Sequence, residues 1–133
     1  MKIKKKPAIL LIEDERPLSN IIKTKLDSKG FDTVTTRTVK QAIDYLESIG
    51  SFDLIWLDHY LLGKEDGMDF VSKIKAQKKW KDIPIFVVSN TATAEKRYSY
   101  LKLGIVKYYV KSDHRLDEIV KDIVGLLYAN HKK

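Results

Sequence analysis

The sequence of 133 residues contains no cysteine. That excludes a disulfide framework, thiolate metal sites and thiol catalysis. Prolines number three and glycines six, with no linker-like Pro/Gly/Ser stretch and no internal repeat. Histidines are few as well, and His114 and His131 lack metal-ligand spacing. Long apolar runs are missing: Ile9–Ile12 and Leu54–Leu57 are strand-sized, far below the roughly 20 residues a membrane helix needs. The lysine-rich start is followed only by Pro7–Ile12 before Glu13, Asp14 and Glu15, too short for a signal peptide. The expectation is one cytoplasmic domain over 1–133, with its core at about 7–127 and a basic tail at each end.

Net charge is nearly absent from that core despite a formal total of +7. Lys2, Lys4, Lys5 and Lys6 at one end and Lys132 and Lys133 at the other carry most of the excess; without them 19 basic residues face 18 acidic ones. Between Lys64 and Lys111, however, 11 basic residues oppose 5 acidic ones, a bias that suits either solvated lysines or a docking face for an acidic partner.

What is present is an alternation. PAILLI at Pro7–Ile12 is a continuous apolar run, as for a strand buried on both faces. Leu18, Ile21, Ile22, Lys25 and Leu26 follow helical spacing up to Gly30. Asp32–Thr36 is β-branched. Thr38 and Gln41 form a capping-box signature before Ala42, Ile43, Leu46 and Ile49, and Gly50 closes that helix. Phe52–Leu57 is a third strand, and a loop over Asp58–Asp66 leads into a helix from Met68. Ile83–Val88 is a fourth strand. Thr93–Leu103 is a polar-leaning helix stopped by Gly104. Tyr108–Val110 is a fifth strand, and Ser112 or Asp113 is expected to cap the last helix, with Leu116, Ile119, Val120, Ile123, Val124 and Leu127 on one face. Trp56 reads as core, whereas Trp80 fits a sheet edge or a partner contact equally well. Alternation of this kind predicts an α/β fold: a five-stranded parallel sheet, order 2-1-3-4-5, doubly wound with five helices in a flavodoxin-like arrangement.

Ligands of such sheets bind at the carboxyl ends of the strands. Those ends carry Glu13, Asp14 and Glu15 after strand 1, Asp58 after strand 3, Ser89 after strand 4 and Lys111 after strand 5. Glu15 reads as a helix-capping residue. Crowded carboxylates raise one another's pKa or attract a cation, and an oxygen-only donor set favours a hard ion, Mg²⁺ best of all. A carboxylate can also act as a nucleophile toward phosphorus, with an ammonium and a hydroxyl steadying the phosphoryl oxygens. No Gly-rich phosphate loop follows strand 1, which counts against nucleotide or flavin binding. His59 should alternate to the side of strand 3 away from Asp58, as packing or a solvent-facing group.

LLIEDE at Leu10–Glu15, LIWLDHYLLGKEDG at Leu54–Gly67, PIFVVSN at Pro84–Asn90 and LGIVKYYVKS at Leu103–Ser112 together resemble the receiver domain of bacterial two-component response regulators, in its stand-alone, chemotaxis-regulator-like form. The resemblance implies that Asp58 accepts a phosphoryl group from a sensor histidine kinase or a histidine phosphotransfer protein. It implies a Mg²⁺ site at Asp14 and Asp58, with Glu13 acting largely through water and the Tyr60 backbone carbonyl as a further ligand. Ser89 and Lys111 would contact the phosphoryl oxygens. Ser89 and Tyr108 would form the switch that repacks the face of helix 4, strand 5 and helix 5. Such a protein is not a conventional enzyme, although its phosphorylation and dephosphorylation would be self-catalysed. Output would be contact with a downstream protein, and the resemblance admits a phosphorylation-dependent homodimer; membrane and nucleic acid are not expected partners.

Several positions depart from the pattern. The Asp58–Gly67 loop is one residue longer than usual, with Leu62 and Gly63 where a proline is common. Ser112 replaces the proline after Lys111, so a cis bond there is not expected. Asn90 stands where a small residue is usual. Tyr60 and Thr91 occupy the positions that tune dephosphorylation, and bulky Tyr60 predicts an acyl phosphate lasting minutes or longer. Ser112, Asn90 and the long loop support an alternative, a non-phosphorylated pseudo-receiver serving as a constitutive interaction module. Nucleic-acid binding through the lysine tails is the third reading.

Overall fold

A computed structural model describes residues 6–61, 63–90 and 93–130. The basic tails beyond Lys6 and from His131 onward, Leu62 and Thr91 lie outside the described residues. In chain order the elements are β1 (Ala8–Ile12), α1 (Arg16–Ser28), β2 (Asp32–Thr36), α2 (Val39–Ser48), β3 (Leu54–Leu57), α3 (Gly67–Lys75), β4 (Ile85–Ser89), α4 (Ala94–Leu103), β5 (Lys107–Val110) and α5 (Leu116–Asn130). The strands form one parallel sheet in the order β2-β1-β3-β4-β5, as expected.

Strand parity sorts the core into two layers. Leu10, Ile12, Ile55, Leu57, Val87 and Tyr108 face one side, against Val39, Ala42 and Leu46 of α2, Phe70, Val71 and Ile74 of α3, and Tyr100 of α4. Ile9, Leu11, Leu54, Trp56, Phe86 and Tyr109 face the other, against Ile22 and Leu26 of α1 and Ile119, Val120, Ile123 and Leu127 of α5. Each such aliphatic side chain removed from water stabilises the fold by about 1.5–3 kcal/mol before entropy is counted. Trp56 is core, as read from the sequence, and Trp80 joins the α2/α3 layer. α4 is the exception among the helices: Tyr100 is its one buried residue.

The caps hold most helix starts. Thr38 accepts from the Gln41 amide, but the Gln41 side chain turns back to the Arg37 amide (2.8 Å) rather than to Thr38, so the capping box is only half formed. Asp66 and Asp69 form the reciprocal box that starts α3. Thr93 caps α4, and Gly104, at φ +99°, ends it in the left-handed region that glycine enters without strain.

Several boundaries differ from the sequence reading: β3 begins at Leu54 rather than Phe52, β5 at Lys107 rather than Tyr108, and two further shifts have a visible cause. β4 begins at Ile85 rather than Ile83, because the Ile83 amide turns back to the Trp80 carbonyl (3.0 Å) and Pro84 has no N–H to give. α5 begins at Leu116, so neither Ser112 nor Asp113 caps it. The Asp113 amide closes a turn onto Val110 O (3.0 Å), and Glu118 accepts from the Arg115 amide (3.0 Å) at the true helix start.

Candidate functional site

The ladders run one step past the strand ends and carry the polar residues with them. Glu13 N donates to Thr36 O (3.0 Å), Asp58 N to Ile12 O (3.0 Å) and Lys111 N to Ser89 O (2.8 Å). Glu13, Asp58 and Lys111 share the parity of Leu11, Trp56 and Tyr109, so they emerge on the same side of the sheet. Lys111 Nζ stands 3.1 Å from Glu13 Oε1 and 3.5 Å from Asp58 Oδ1. The second Glu13 oxygen accepts from the Glu15 amide (3.2 Å). The peptide bond after Lys111 is trans, and the ammonium reaches the carboxylates without the missing proline.

Glu13, Asp14 and Asp58 each offer a carboxylate oxygen within 4.8 Å of the others. They line a cleft of about 310 Å³ whose walls also include Glu15, Tyr60, Asn90 and Lys111. Glu13 and Asp58 are buried, Asp14 half-buried and Tyr60 exposed. Glu15 occupies the N-cap position of α1 but makes no side-chain cap.

The electrostatics follow from burial. Desolvation, then the Glu13 charge, lifts the Asp58 carboxyl to about 7; Lys111 pulls it down and Asp14 adds to the rise. Glu13 is also raised, chiefly by burial, against the pull of Lys111 and the Glu15 amide. Burial depresses Lys111, but Asp58 and Glu13 outweigh it and leave the ammonium more basic than usual. With all three carboxylates ionised, one ammonium leaves a net charge of about two negative units, which a divalent cation would neutralise and so favour. The donor set is all oxygen, half-open to solvent, and fits Mg²⁺ rather than a soft ion. Among the described residues it is the one cluster of this kind.

Ser89 is fully buried and hydrogen-bonds the hydroxyl of Tyr108, which is itself buried. Both lie on the α2/α3/α4 side, and Arg97 stacks over the Tyr108 ring. His59 is on that side too, as its alternation required. Of the two expected roles it takes packing, and more: the residue is buried at 3% exposure and both ring nitrogens are engaged by α4.

Sequence reasoning missed a further residue. Arg37, in the β2–α2 loop, donates from Nε (3.0 Å) and Nη2 (2.9 Å) to the backbone carbonyl of Asp14. A side chain gripping a carbonyl 23 positions away leaves no motif in the sequence.

The comparisons agree with this geometry. The family model of the response regulator receiver domain matches residues 9–123, and the chain belongs to that family. It is 29% identical over 123 residues to the transcriptional regulatory protein CpxR of Escherichia coli, covering 92% of this chain and 50% of that one. The chain therefore spans about half the length of these first curated relatives. It is 28% identical over 120 residues to the chemotaxis protein CheY homolog of Campylobacter jejuni, covering 88% and 92% of the two chains. Among solved structures, the phosphorylated cyanobacterial phytochrome response regulator RcpA superposes with a TM-score of 0.79 at 29% identity, covering 90% of this chain and 92% of that one. As in those receivers, the five parallel strands run in the order 2-1-3-4-5 between two layers of helices. No helix among the described residues is long and apolar enough to cross a membrane.

Proposed function

We propose that this receiver takes a phosphoryl group on Asp58 from a phosphohistidine of a sensor kinase or a histidine phosphotransfer protein. The observation that carries the reading is the position of Asp58: a buried carboxylate at a strand end, 3.5 Å from Lys111 and grouped with Glu13 and Asp14. Phosphorylation of the similar RcpA supports it. An Asp58 oxygen attacks phosphorus, forming the P–O bond while the P–N bond breaks and the electron pair leaves with the donor imidazole. Lys111 faces the charge gathering on the phosphoryl oxygens, and Ser89 donates to one of them after leaving Tyr108. Mg²⁺ would be held by Asp14 and Asp58, by Glu13 through water and by the Tyr60 carbonyl, and it supplies neutralisation of phosphoryl charge.

On this reading residues 1–133 form one receiver unit, and its output is the face of α4, β5 and α5. Tyr98, Leu101 and Val106 are exposed there, with Arg97, Lys102 and Lys107 around them. Basic and apolar together, they suit a protein partner bearing acidic and aromatic side chains.

Intact-mass measurement after incubation with acetyl phosphate and Mg²⁺ tests the reading. One phosphoryl adduct is expected on the wild type and none on Asp58→Asn. A wild-type chain that stays unmodified, with Mg²⁺ bound, would leave the pseudo-receiver as the better account.

A further inference from the structure

α4 differs from the other helices of the chain. Half of its residues are polar, and Tyr100 is its one buried side chain, at 0% exposure, with half-buried Leu103 packed on the same core layer at its C-terminal end. A helix so placed gains little from apolar burial, so its position depends on where Tyr100 is held.

The Tyr100 hydroxyl lies 2.6 Å from His59 Nδ1. Lys96, one helical turn earlier on the same face of α4, places Nζ 3.1 Å from His59 Nε2. An ammonium can only donate, so Nε2 accepts and Nδ1 carries the proton toward Tyr100. Asp66 Oδ2, at 3.8 Å from Nε2, is beyond hydrogen-bond reach. Both ring nitrogens of the residue that immediately follows Asp58 are thus taken by α4.

The seat is shaped for this contact. A Cβ added at Gly67 would collide with the Tyr100 hydroxyl and would lie 3.1 Å from both Asp58 O and His59 Cα. Gly67 also donates its amide to His59 O (2.9 Å). The absent side chain therefore leaves the space that the Tyr100 hydroxyl fills beside the backbone of residues 58 and 59. On its other side the Tyr100 ring packs 5.6 Å from that of Tyr108, while the His59 ring stands edge-on at 5.7 Å. Tyr100 touches two routes out of the site: one through the backbone of residues 58 and 59, the other through Ser89 and Tyr108.

We propose that Tyr100 and His59 are a positioning pair: their hydrogen bond, braced by Lys96, fixes α4 to the residue after Asp58 and transmits loading of Asp58 to that helix. The transmission half rests on the reading of Asp58 as phosphoacceptor; the anchoring half does not.

Amide hydrogen exchange by mass spectrometry tests both, on the full chain, with Tyr100→Phe, His59→Leu and His59→Gln. Without ligand, Tyr100→Phe and His59→Leu should exchange α4 amides (94–103) about tenfold faster than wild type, as expected for loss of one buried hydrogen bond. β1 and β3 should be unchanged. His59→Gln, whose amide can both donate and accept, should recover part of the protection. Unchanged α4 exchange, or a loss spread equally over the sheet, would overturn the anchor.

Beryllium fluoride with Mg²⁺, a phosphoryl mimic, then loads the site, with bound fluoride read by ¹⁹F NMR. Tyr100→Phe should load like wild type but show less than half the wild-type change in α4 exchange. An equal change with equal loading would overturn the transmission and leave Ser89 and Tyr108 as the whole route. A wild type that shows no bound fluoride would sink the Asp58 reading and transmission together, with the anchor judged by the unliganded measurement alone.

Discussion

Lys111 Nζ and Glu13 Oε1 lie 3.1 Å apart, although they are 98 positions apart in the chain and β3 and β4 stand between their strands. The ammonium is the counter-ion of the acidic cleft and competes for the same carboxylates as a divalent cation.

Lys111→Met should therefore bind Mg²⁺ more tightly, by about three- to tenfold, since the resident positive charge is gone and the remaining interactions are partly screened. The unliganded chain should lose about 1–3 kcal/mol at pH 8, because buried carboxylates are left uncompensated. A titration followed by the fluorescence of Trp56, two residues from Asp58, and thermal melts measure the two effects. Weaker Mg²⁺ binding would contradict the counter-ion role.

The raised Asp58 carboxyl, at about 7 against an ordinary 3.8, makes stability fall as pH rises. The folded chain holds a proton there that the unfolded chain has already lost, so the contribution is full below about 4 and gone above about 7. Asp58→Asn removes the penalty of the buried charge. It should melt higher than wild type at pH 8, by up to about 2–4 kcal/mol, with the gap nearly closed at pH 4. Melting curves at both pH values without divalent ions check this, and a gap independent of pH would refute it.

Arg37→Ala should loosen the loop that presents Asp14 and weaken Mg²⁺ binding severalfold, with a small change in melting temperature. Arg37→Lys should not restore affinity, because an ammonium cannot reproduce the fork of two N–H groups on one carbonyl. Calorimetric titration with Mg²⁺ separates the two variants; full rescue by lysine would mean that only charge matters there.

Gly67→Ala should cost about 1–3 kcal/mol by overpacking against the Tyr100 hydroxyl and the Asp58 carbonyl. Its effect should shrink in a Tyr100→Phe background, where the hydroxyl is gone. Urea denaturation of the four chains of this cycle gives the coupling directly, and simple additivity would place the obstruction elsewhere.

Tyr60 is 58% exposed and lines the cleft, packed edge-on at 4.6 Å against His59. The phosphorylated chain should hold its phosphoryl group for minutes or longer in Mg²⁺, and Tyr60→Gly should shorten that lifetime by opening the cleft to water. Loss of the adduct followed by intact mass over time measures it; hydrolysis of the wild type within seconds would defeat the shielding role.

The sheet order and the cluster of Glu13, Asp14, Asp58 and Lys111 were legible because apolar runs end abruptly in charged residues, and parallel topology puts those ends on one rim. Parity also placed His59 opposite Asp58. It could not name the partners of His59, since Tyr100 and Lys96 are 41 and 37 positions away and meet it only after α4 packs. α4 itself carries little amphipathic signal, so nothing local marks Tyr100 as its anchor. The start of α5 was misplaced because Ser112 and Asp113 are both good caps by type, and the turn onto Val110 that takes the Asp113 amide is a tertiary choice.

A helix with one fully buried side chain is a lever that can be worked from either end. On the proposed coupling of Asp58 to α4, a protein that clasps the outer surface of α4 and favours one placement of it would, by reciprocity of coupled equilibria, shift the balance between the unloaded and phosphoryl-loaded forms of Asp58. The downstream target would then be a regulator of the modification it reads, with no contact to the cleft at all.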